Sequence, residues 1–268
     1  MRTTLRLTPL LAILACAACT SGDVDPGDDD TADGDGGAPG PDAAIADDLD
    51  ARPQVNFSFF VTSLDTMRLQ SGSEDGFGGD LGGLAGADAI CQTAAANVGF
   101  GYKTWRAFLS VTNGPGGGPV NAIDRIGNGP WYDRNARLIA NDKAGLLSTR
   151  PLGVAQAVND LTDETGLPLS SIGDTHDVLT GSDAQGTLDD TDPVTTCYDW
   201  TSAVGPGTEH TTMCGHSWPA QSGQNWIRAH PVPGCSPGVN LIQNGPGFGD
   251  CVGCGGGWGG IYCFALEP

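Results

Sequence analysis

The alternation of hydrophobic and polar positions predicts three short strands. Residues 55–61, VNFSFFV, place Val, Phe, Phe and Val at every second position, and residues 105–109, WRAFL, repeat that spacing. A two-residue period is typical of a strand that packs one face on a core. A further strand is predicted at residues 195–200, after an acidic loop.

Two segments have a helical period instead. Residues 87–98 are rich in alanine and place Ile90, Ala94 and Val98 on one face, which predicts a short helix packed closely on a sheet. Residues 152–161 are a second helix candidate, with its valines toward the core. The glycine clusters GFGGDLGG, GPGGG and GCGGGWGG indicate many turns and little long regular structure. The predicted class is α+β.

The first twenty residues have a different composition from the rest of the chain. Arg2 and Arg6 precede the apolar run LTPLLAILA and the small residues ACAAC. This run is too short to span a bilayer, which predicts a cleaved secretory signal over residues 1–18. Cys19 and Cys16 are both candidates for the acylated cysteine of a bacterial lipoprotein, and the ILA before Cys16 fits a lipobox. An ordinary signal peptide without a lipid is the alternative.

An acidic segment follows, and we expect residues 19–54 to be a disordered tether. Between positions 20 and 50 the chain has 11 aspartates and no lysine or arginine. Such a segment has too few large apolar groups to offset its ordering entropy, and like charges keep it extended. Residues 55–268 then form one folded domain, which the tether holds away from the membrane.

Net charge excludes several classes of partner. The whole chain has a formal charge of −20 at pH 7. Nucleic acid, heparin and anionic lipid heads would have to approach a surface of their own sign. Export also places the seven cysteines beyond the tether in an oxidising compartment, where cysteines normally pair.

Three separated segments resemble a C-type-lectin-like domain of the endostatin kind. They are GLAGADAICQTAAANVGFGYKTWRAFLS at residues 83–110, LTGSDAQGT followed by CYDWTS within residues 179–202, and IYCFAL at residues 261–266. The resemblance implies an endostatin-like α+β fold over residues 55–268, with short helices, a twisted, mainly antiparallel sheet and long disulfide-tied loops. Related bacterial secreted lipoproteins have no established activity.

The resemblance also implies disulfide bonds. In such domains the helix cysteine bonds the last-strand cysteine, and a second bond joins the preceding strand to the loop before the end. These rules pair Cys91 with Cys263 and Cys197 with Cys254, with Cys251 as the alternative partner. Cys214 would close the inserted segment with Cys235, leaving Cys251 or Cys254 unpaired. Endostatin's basic face and N-terminal zinc histidines have no counterpart here, so we transfer the fold and cysteine pattern alone.

Calcium is the one cofactor that a lectin-like fold suggests for this chain. The Glu-Pro-Asn and Gln-Pro-Asp tripeptides of calcium-dependent sugar binding are absent from the sequence. Asp189, Asp190 and Asp192 are candidate ligands for a hard cation, since Ca²⁺ accepts irregular cages of oxygen atoms. A solvated acidic loop is the alternative, and we favour it.

Histidines supply two further candidates. His210, Cys214 and His216 have a spacing that suits zinc, although export favours a disulfide at Cys214. His176, with Asp174 and Asp177 close to it in sequence, has the composition of a general base with orienting acids. A surface histidine is the interpretation that we favour, because residues adjacent in a loop seldom converge on one substrate. The chain also lacks the sequence motifs of common hydrolases and nucleotide-binding enzymes, so we expect no enzyme.

The predicted ligand surface lies in the long insertion between Ser202 and Cys251. Its candidate residues are Trp218, Gln224, Asn225 and Trp226. Exposed indoles stack on sugars or bind peptide side chains, and Gln224-Asn225-Trp226 is the nearest echo of a sugar-binding motif. Packing in the core is the alternative for both tryptophans, and for Trp200 it is the prediction.

The sequence therefore predicts a lipid-anchored or secreted binding module of the bacterial cell envelope, with the outer membrane as the expected location. Its partner would be an extracellular glycan or protein, and the bilayer would hold its acylated N-terminus. An envelope protein with a structural or interaction role and no small-ligand site is the alternative.

Overall fold

A computed structural model describes residues 56–204, 212–220, 224–242 and 249–267. The chain divides into the units Met1–Arg52 and Pro53–Pro268, and the described residues all belong to the second. The signal, both lipidation candidates Cys16 and Cys19, and the tether lie outside the described residues. Within the described part of the chain, no helix is long and apolar enough to cross a membrane.

The fold is α+β, with one six-stranded sheet and one two-stranded sheet. The larger sheet consists of β1 (Phe59–Val61), β2 (Trp105–Ala107), β5 (Asp177–Leu179), β6 (Met213–His216), β7 (His230–Pro231) and β8 (Gly257–Ala265). The smaller one pairs β3 (Trp131–Tyr132) with β4 (Leu138–Ala140). All nine residues of β8 are buried, and strands pair with both of its edges. β1 and β2 pair with its C-terminal half antiparallel, and β5 pairs with its N-terminal half parallel.

Six α-helices, most of them a single turn, surround the sheets in the described residues. They are α1 (Leu64–Ser71), α2 (Gly83–Asn97), α3 (Ala122–Arg125), α4 (Lys143–Leu146), α5 (Ala155–Val158) and α6 (Cys197–Trp200), with 3-10 helices at Leu169–Ile172 and Pro193–Thr196. Ser63 caps α1 by accepting from Thr66 N, a usual N-terminal signal. The predicted alanine-rich helix is confirmed as α2, which begins at Gly83 and is joined to β8 by a disulfide.

The strand predictions are confirmed in position but not in every detail. β1 covers Phe59–Val61 and β2 covers Trp105–Ala107, so both are shorter than the apolar alternation. Ser58 and Phe60, assigned to the polar face, are fully buried. The prediction of a half-buried first strand is therefore wrong, because this strand is covered on both faces.

The predictions for residues 152–161 and 195–200 are mostly wrong. In the first, α5 is one turn long; Val158 is buried, but Val154 is exposed. In the second, a 3-10 helix leads into α6, whose four residues have φ between 49° and 64°. The carboxylate of Asp199 accepts from Thr112 and Asn113, and these tertiary bonds override the local strand preference.

Three disulfides are formed among the described residues. Cys91–Cys263 is confirmed. The other two predicted pairs are wrong, because the structure bonds Cys197 to Cys235, and Cys251 to Cys254. Cys214 is the free cysteine of the described residues, so the unpaired thiol is neither Cys251 nor Cys254. Its sulfur points at β7, where it donates to the carbonyl oxygen of His230 at 3.0 Å.

Candidate metal centre

Four side chains meet where β5, β6 and β7 lie side by side. His176 precedes β5, Asp177 begins it, His216 ends β6 and His230 begins β7. Antiparallel pairing sets Asp177 directly opposite His216, and β7 continues the sheet on the far side of β6. One ligand atom of each residue lies within 4.8 Å of those of the other three. We call this group the metal centre.

The distances within the metal centre fit a tetrahedral ion. Asp177 Oδ1 lies 3.4 Å from His176 Nε2, 3.6 Å from His216 Nε2 and 3.2 Å from His230 Nε2. Bonds of about 2.0–2.2 Å from zinc to nitrogen or oxygen place neighbouring ligands of a tetrahedron about 3.3–3.6 Å apart. The carboxylate oxygen thus lies from each of the three imidazoles at the spacing that a zinc ion requires, and all four ligand atoms lie within 4.8 Å of one another.

Two of the imidazoles are oriented by partners outside the centre. His176 Nδ1 lies 3.2 Å from the carboxylate of Asp174, and His230 Nδ1 lies 3.0 Å from the carbonyl oxygen of Pro231. A hydrogen on Nδ1 that donates to such an acceptor leaves the Nε2 lone pair facing the centre. Metal-bound histidines have this outer shell almost without exception.

The innermost atoms are buried polar groups without hydrogen bonds. Both oxygens of Asp177 and both ring nitrogens of His216 lack a hydrogen-bond partner in the part of the chain that the structure describes. Leaving one buried polar atom unsatisfied costs about 1–3 kcal/mol, and more for a charged group. Native structures keep few such atoms, and a bound cation would satisfy the oxygens and the inward-facing nitrogen together.

Electrostatics in the centre act in opposite directions on His216 and His230. Burial, and after it the neighbouring His176, lowers the pKa of His216 from 6.5 to about 3. The carboxylate of Asp177 raises the pKa of His230, and burial opposes that rise. Burial also raises the pKa of the Cys214 thiol, and Asp177 adds to the effect. The thiol therefore stays protonated and acts as a neighbour of the centre.

A glycine loop closes one side of the metal centre. The carbonyl oxygen of Gly256 accepts from the backbone N–H groups of both His176 and Asp177, at 2.9 and 3.0 Å. A Cβ added to Gly255 would lie 2.3 Å from Asp177 Oδ2, and one added to Gly256 would lie 2.9 Å from His176 Cε1. A residue with a side chain would displace the ligands, so this approach requires glycine.

Arg150 and Trp218 contact residues of the metal centre from outside it. The buried guanidinium of Arg150 donates to the carbonyl oxygens of His216 and Ser217, which fixes the end of β6. Burial lowers the pKa of this guanidinium, although an arginine remains charged at any physiological pH. The indole of Trp218 donates to Thr175 O at 2.9 Å, and its ring meets the ring of His176 edge-on.

Solvent reaches the centre along His230. The side chains of His176, Asp177 and His216 are 1–4% exposed, whereas that of His230 is 37% exposed. Four protein ligands fill a tetrahedral zinc site, and such closed sites are structural. The arrangement therefore suits an ion that holds three strands together.

The predicted calcium ligands are used by the protein itself. Asp189 accepts from the guanidinium of Arg228 at 2.6 Å. Asp190 accepts from the N–H of Asp192, and Asp192 accepts from the N–H of Val194. The interpretation as a solvated acidic loop fits this geometry.

The histidine predictions are corrected in part. His210 lies outside the described residues, and of the predicted zinc trio His216 alone belongs to the metal centre. His176 was interpreted as a surface histidine, which is wrong, because 3% of this residue is exposed. Three of the chain's four histidines meet in the structure. Their separation in sequence is too long for a local motif, and the adjacent pair His176-Asp177 was the one available signal.

The predicted ligand surface is also corrected. Trp226 is fully buried against Phe108 and Tyr262, so it cannot contact a ligand. Trp218 is half-buried and packs on the metal centre. Gln224 and Asn225 are half-buried as well, and Asn225 Oδ1 caps the turn that leads to β7. Trp200 is buried, as predicted.

Comparison with known proteins adds no relative to this picture. No protein-family model matches the chain, and no characterised protein matches its sequence.

Proposed function

We propose that this protein is an extracytoplasmic binding module whose folded domain holds one zinc ion in the metal centre. The observation that carries the proposal is the carboxylate of Asp177. It is buried without a hydrogen-bond partner among the described residues, and three imidazole Nε2 atoms surround it at 3.2–3.6 Å.

The donor set favours zinc over the calcium that a lectin-like fold suggests. Calcium and magnesium prefer six or more oxygen ligands, whereas three imidazoles and one carboxylate suit zinc, copper or nickel. Tetrahedral spacing selects zinc among these, because Cu²⁺ and Ni²⁺ favour square or tetragonal arrangements of nitrogen and oxygen.

In this function the ion would act much as a disulfide does. His176 and Asp177 are some forty residues from His216 in the sequence, and His230 follows after another turn of the chain. A zinc ion bound to all four would tie β5, β6 and β7 together. The binding free energy of a structural ion adds directly to the free energy of folding.

The setting of the module follows from the sequence features. A lipoprotein-type signal with Cys19 or Cys16 as the acylated residue, followed by an acidic tether, would display the domain at the bacterial envelope. The endostatin-like, C-type-lectin-like assignment is supported by the Cys91–Cys263 bond between α2 and the last strand. We propose an extracellular glycan or protein as the partner, held by the loops between β6 and β8 that the ion would order.

The test is the zinc content of the full chain, purified without chelator and analysed by mass spectrometry of the metal. We expect one zinc ion per chain in the wild type and a loss of at least 90% of it in His216→Ala. Asp192→Ala is the control, because this exposed carboxylate accepts from the N–H of Val194 and does not belong to the metal centre. Zinc-free wild type, or equal losses in both variants, would overturn the proposal.

A second measurement tests the binding function. The zinc-loaded protein and the same protein after chelation are applied to a broad array of glycans. We expect a signal that weakens when the zinc is removed and again in Trp218→Ala. A blank array for the zinc-loaded protein would favour the alternative, an envelope protein with a structural or protein-interaction role.

A further inference from the structure

The Cys251–Cys254 disulfide lies in the loop that closes the metal centre. The sequence CVGCGGG runs from the disulfide directly into Gly255 and Gly256, the two residues that touch Asp177 and His176. Cys254 is adjacent to Gly255, so a movement of its sulfur and backbone passes directly to the wall of the metal centre. The disulfide and the centre therefore belong to one local structure.

This disulfide differs from the other two in burial and in loop length. Cys91, Cys263 and Cys197 are completely buried and Cys235 nearly so, whereas Cys254 is half-buried. Its two cysteines are 3 residues apart, against 38 and 172 for the other bonds. A disulfide stabilises a fold by restricting the unfolded chain, and a bond that closes a short loop restricts it least. Cys251–Cys254 should therefore stabilise the fold less than the other two disulfides do.

Opening the disulfide would move the loop. A Cβ on Gly238 would lie 2.5 Å from Cys251 Sγ, and one on Gly249 would lie 2.8 Å from Cys254 Sγ, so each sulfur packs directly on a glycine. Two unbonded sulfurs need more room than a bond of about 2 Å gives them. A wider loop would shift the carbonyl of Gly256, which accepts from the N–H groups of His176 and Asp177.

We propose that Cys251 and Cys254 form a redox-active pair whose disulfide state controls zinc binding at the metal centre. The disulfide form keeps the loop closed on the ligands, and the dithiol form releases the ion. This inference rests on the proposed function. The reactant that opens the bond is a dithiol, the class of molecule that reduces protein disulfides.

The exchange proceeds in two displacements. A thiolate of the dithiol attacks the sulfur of Cys254, the less buried of the two residues, and the S–S bond breaks with its electron pair on Cys251. The second thiolate of the dithiol then attacks the mixed disulfide and displaces Cys254. The dithiol leaves as its own disulfide, and its two protons end on Cys251 and Cys254.

The relation between the two sites is reciprocal. If the disulfide form binds zinc more tightly, zinc must favour the disulfide form by the same factor. Displacing a partner outside the ligand shell typically lowers metal affinity by 10–100-fold. We therefore expect a change of at least about tenfold in affinity when the disulfide is opened.

The experiment measures zinc affinity by competition with a chromophoric chelator. The full-length double variant Cys251→Ser, Cys254→Ser should bind zinc at least tenfold more weakly than the oxidised wild type. The control is Cys197→Ser, Cys235→Ser, which removes a disulfide from another part of the molecule and should keep the wild-type affinity. Circular dichroism establishes that each variant is folded.

Graded reduction of the wild type makes the result independent of variant folding. A phosphine reductant opens disulfides without adding a thiol that binds metal, and mass mapping identifies the sample in which Cys251–Cys254 alone is open. That sample should show the same tenfold loss, and a smaller change overturns the proposal. Oxidised wild type that binds no zinc would instead overturn the proposed function.

Discussion

Asp177 is the residue on which the metal centre depends. Its carboxylate is buried, and its backbone lies directly opposite that of His216 in the sheet. Without a cation, a buried charge of this kind destabilises the fold, because desolvation is not compensated by hydrogen bonds. With a cation, the same charge becomes a ligand. Asp177 should therefore destabilise the metal-free protein and stabilise the metal-bound protein.

Asp177→Asn separates the two states. With chelator present, we expect the free energy of unfolding of the variant to exceed that of the wild type by about 1–3 kcal/mol, because the buried charge is gone. The variant should therefore unfold at a higher urea concentration. With zinc in excess, we expect the wild type to be the more stable protein. Urea unfolding followed by circular dichroism measures both. A variant that is less stable in chelator and equally responsive to zinc would contradict the assignment.

Gly255 offers a test of the close approach between the loop and the ligands. A methyl group at this position would lie 2.3 Å from Asp177 Oδ2, so Gly255→Ala should displace the carboxylate. We expect a loss of stability of about 1–3 kcal/mol and weaker zinc binding. Gly116→Ala is the matched control, since a Cβ there meets nothing within 4 Å. Equal behaviour of the two variants in thermal unfolding and zinc titration would refute the close contact.

Glu164 gives the protein a pH dependence that is separate from the metal centre. Its carboxylate accepts from Ser63 N, Ser63 Oγ and Thr66 Oγ1. Burial raises its pKa above the usual 4.5, although these hydrogen bonds act in the opposite direction. The folded state therefore holds the proton more strongly than the unfolded state does.

The sign of the effect follows from this difference. The stabilisation from Glu164 is complete below the unfolded pKa of 4.5 and is lost as the pH rises through the folded pKa. We expect the free energy of unfolding in chelator to fall over that window in the wild type, and Glu164→Gln to flatten the slope. Identical slopes in urea unfolding at a series of pH values would show that Glu164 has no such effect.

Single residues show why the metal centre could not be predicted from sequence. His216 was placed in a local trio with His210 and Cys214, because nearby residues are the usual source of a metal motif. Two other ligands of the metal centre, His176 and Asp177, lie some forty residues before His216 in the sequence. The register of β5 against β6 brings them next to His216. Trp226 was misassigned for a similar reason, since the residues just before it in sequence are polar and its neighbours in space are aromatic.

Among the elements, α6 is the one that departs most from sequence preference. Its four residues all have left-handed backbone angles, at a cost of roughly 1–2 kcal/mol for each residue that is not glycine. The Cys197–Cys235 bond and the buried indole of Trp200 hold its two ends. In the middle of α6, the carboxylate of Asp199 accepts hydrogen bonds from the backbone N–H groups of residues 112 and 113.

Asp199→Ala should loosen this turn. The change leaves the half-buried N–H of Thr112 without its acceptor, so we expect a loss of about 1–3 kcal/mol in the free energy of unfolding. Zinc affinity should stay at the wild-type value, because the turn is not part of the metal centre. Urea unfolding and zinc competition on the same preparation check the two halves of this prediction. A stable variant would mean that other contacts hold the turn.

The elements that sequence did predict are those whose apolar pattern decides their packing. Helix α2 has alanines and Ile90 on the face toward β2 and β8, and its period is enough to identify it. The strand predicted at residues 195–200 contains β-branched and aromatic residues that suit a sheet. Hydrogen bonds from residues distant in sequence decided its conformation instead, and no local pattern records them.

At the scale of the whole molecule, β8 and its partners organise the fold. The Cys91–Cys263 bond joins α2 to β8, and the α+β class and this bond were both predictable from periodicity and the resemblance. A metal ion in the metal centre would add a second connection at the N-terminal half of β8, where β5 and the glycine loop contact it. Zinc at one hundred times its dissociation constant would stabilise the module by about 2.7 kcal/mol.

The central claim is that zinc is bound by three imidazoles and one carboxylate, and X-ray absorption spectroscopy of the zinc-loaded full chain tests it most directly. The account predicts a four-coordinate first shell of nitrogen and oxygen at about 2.0–2.2 Å, with the multiple-scattering pattern of imidazole. A sulfur ligand at about 2.3 Å, or a six-coordinate shell of oxygen, would contradict it.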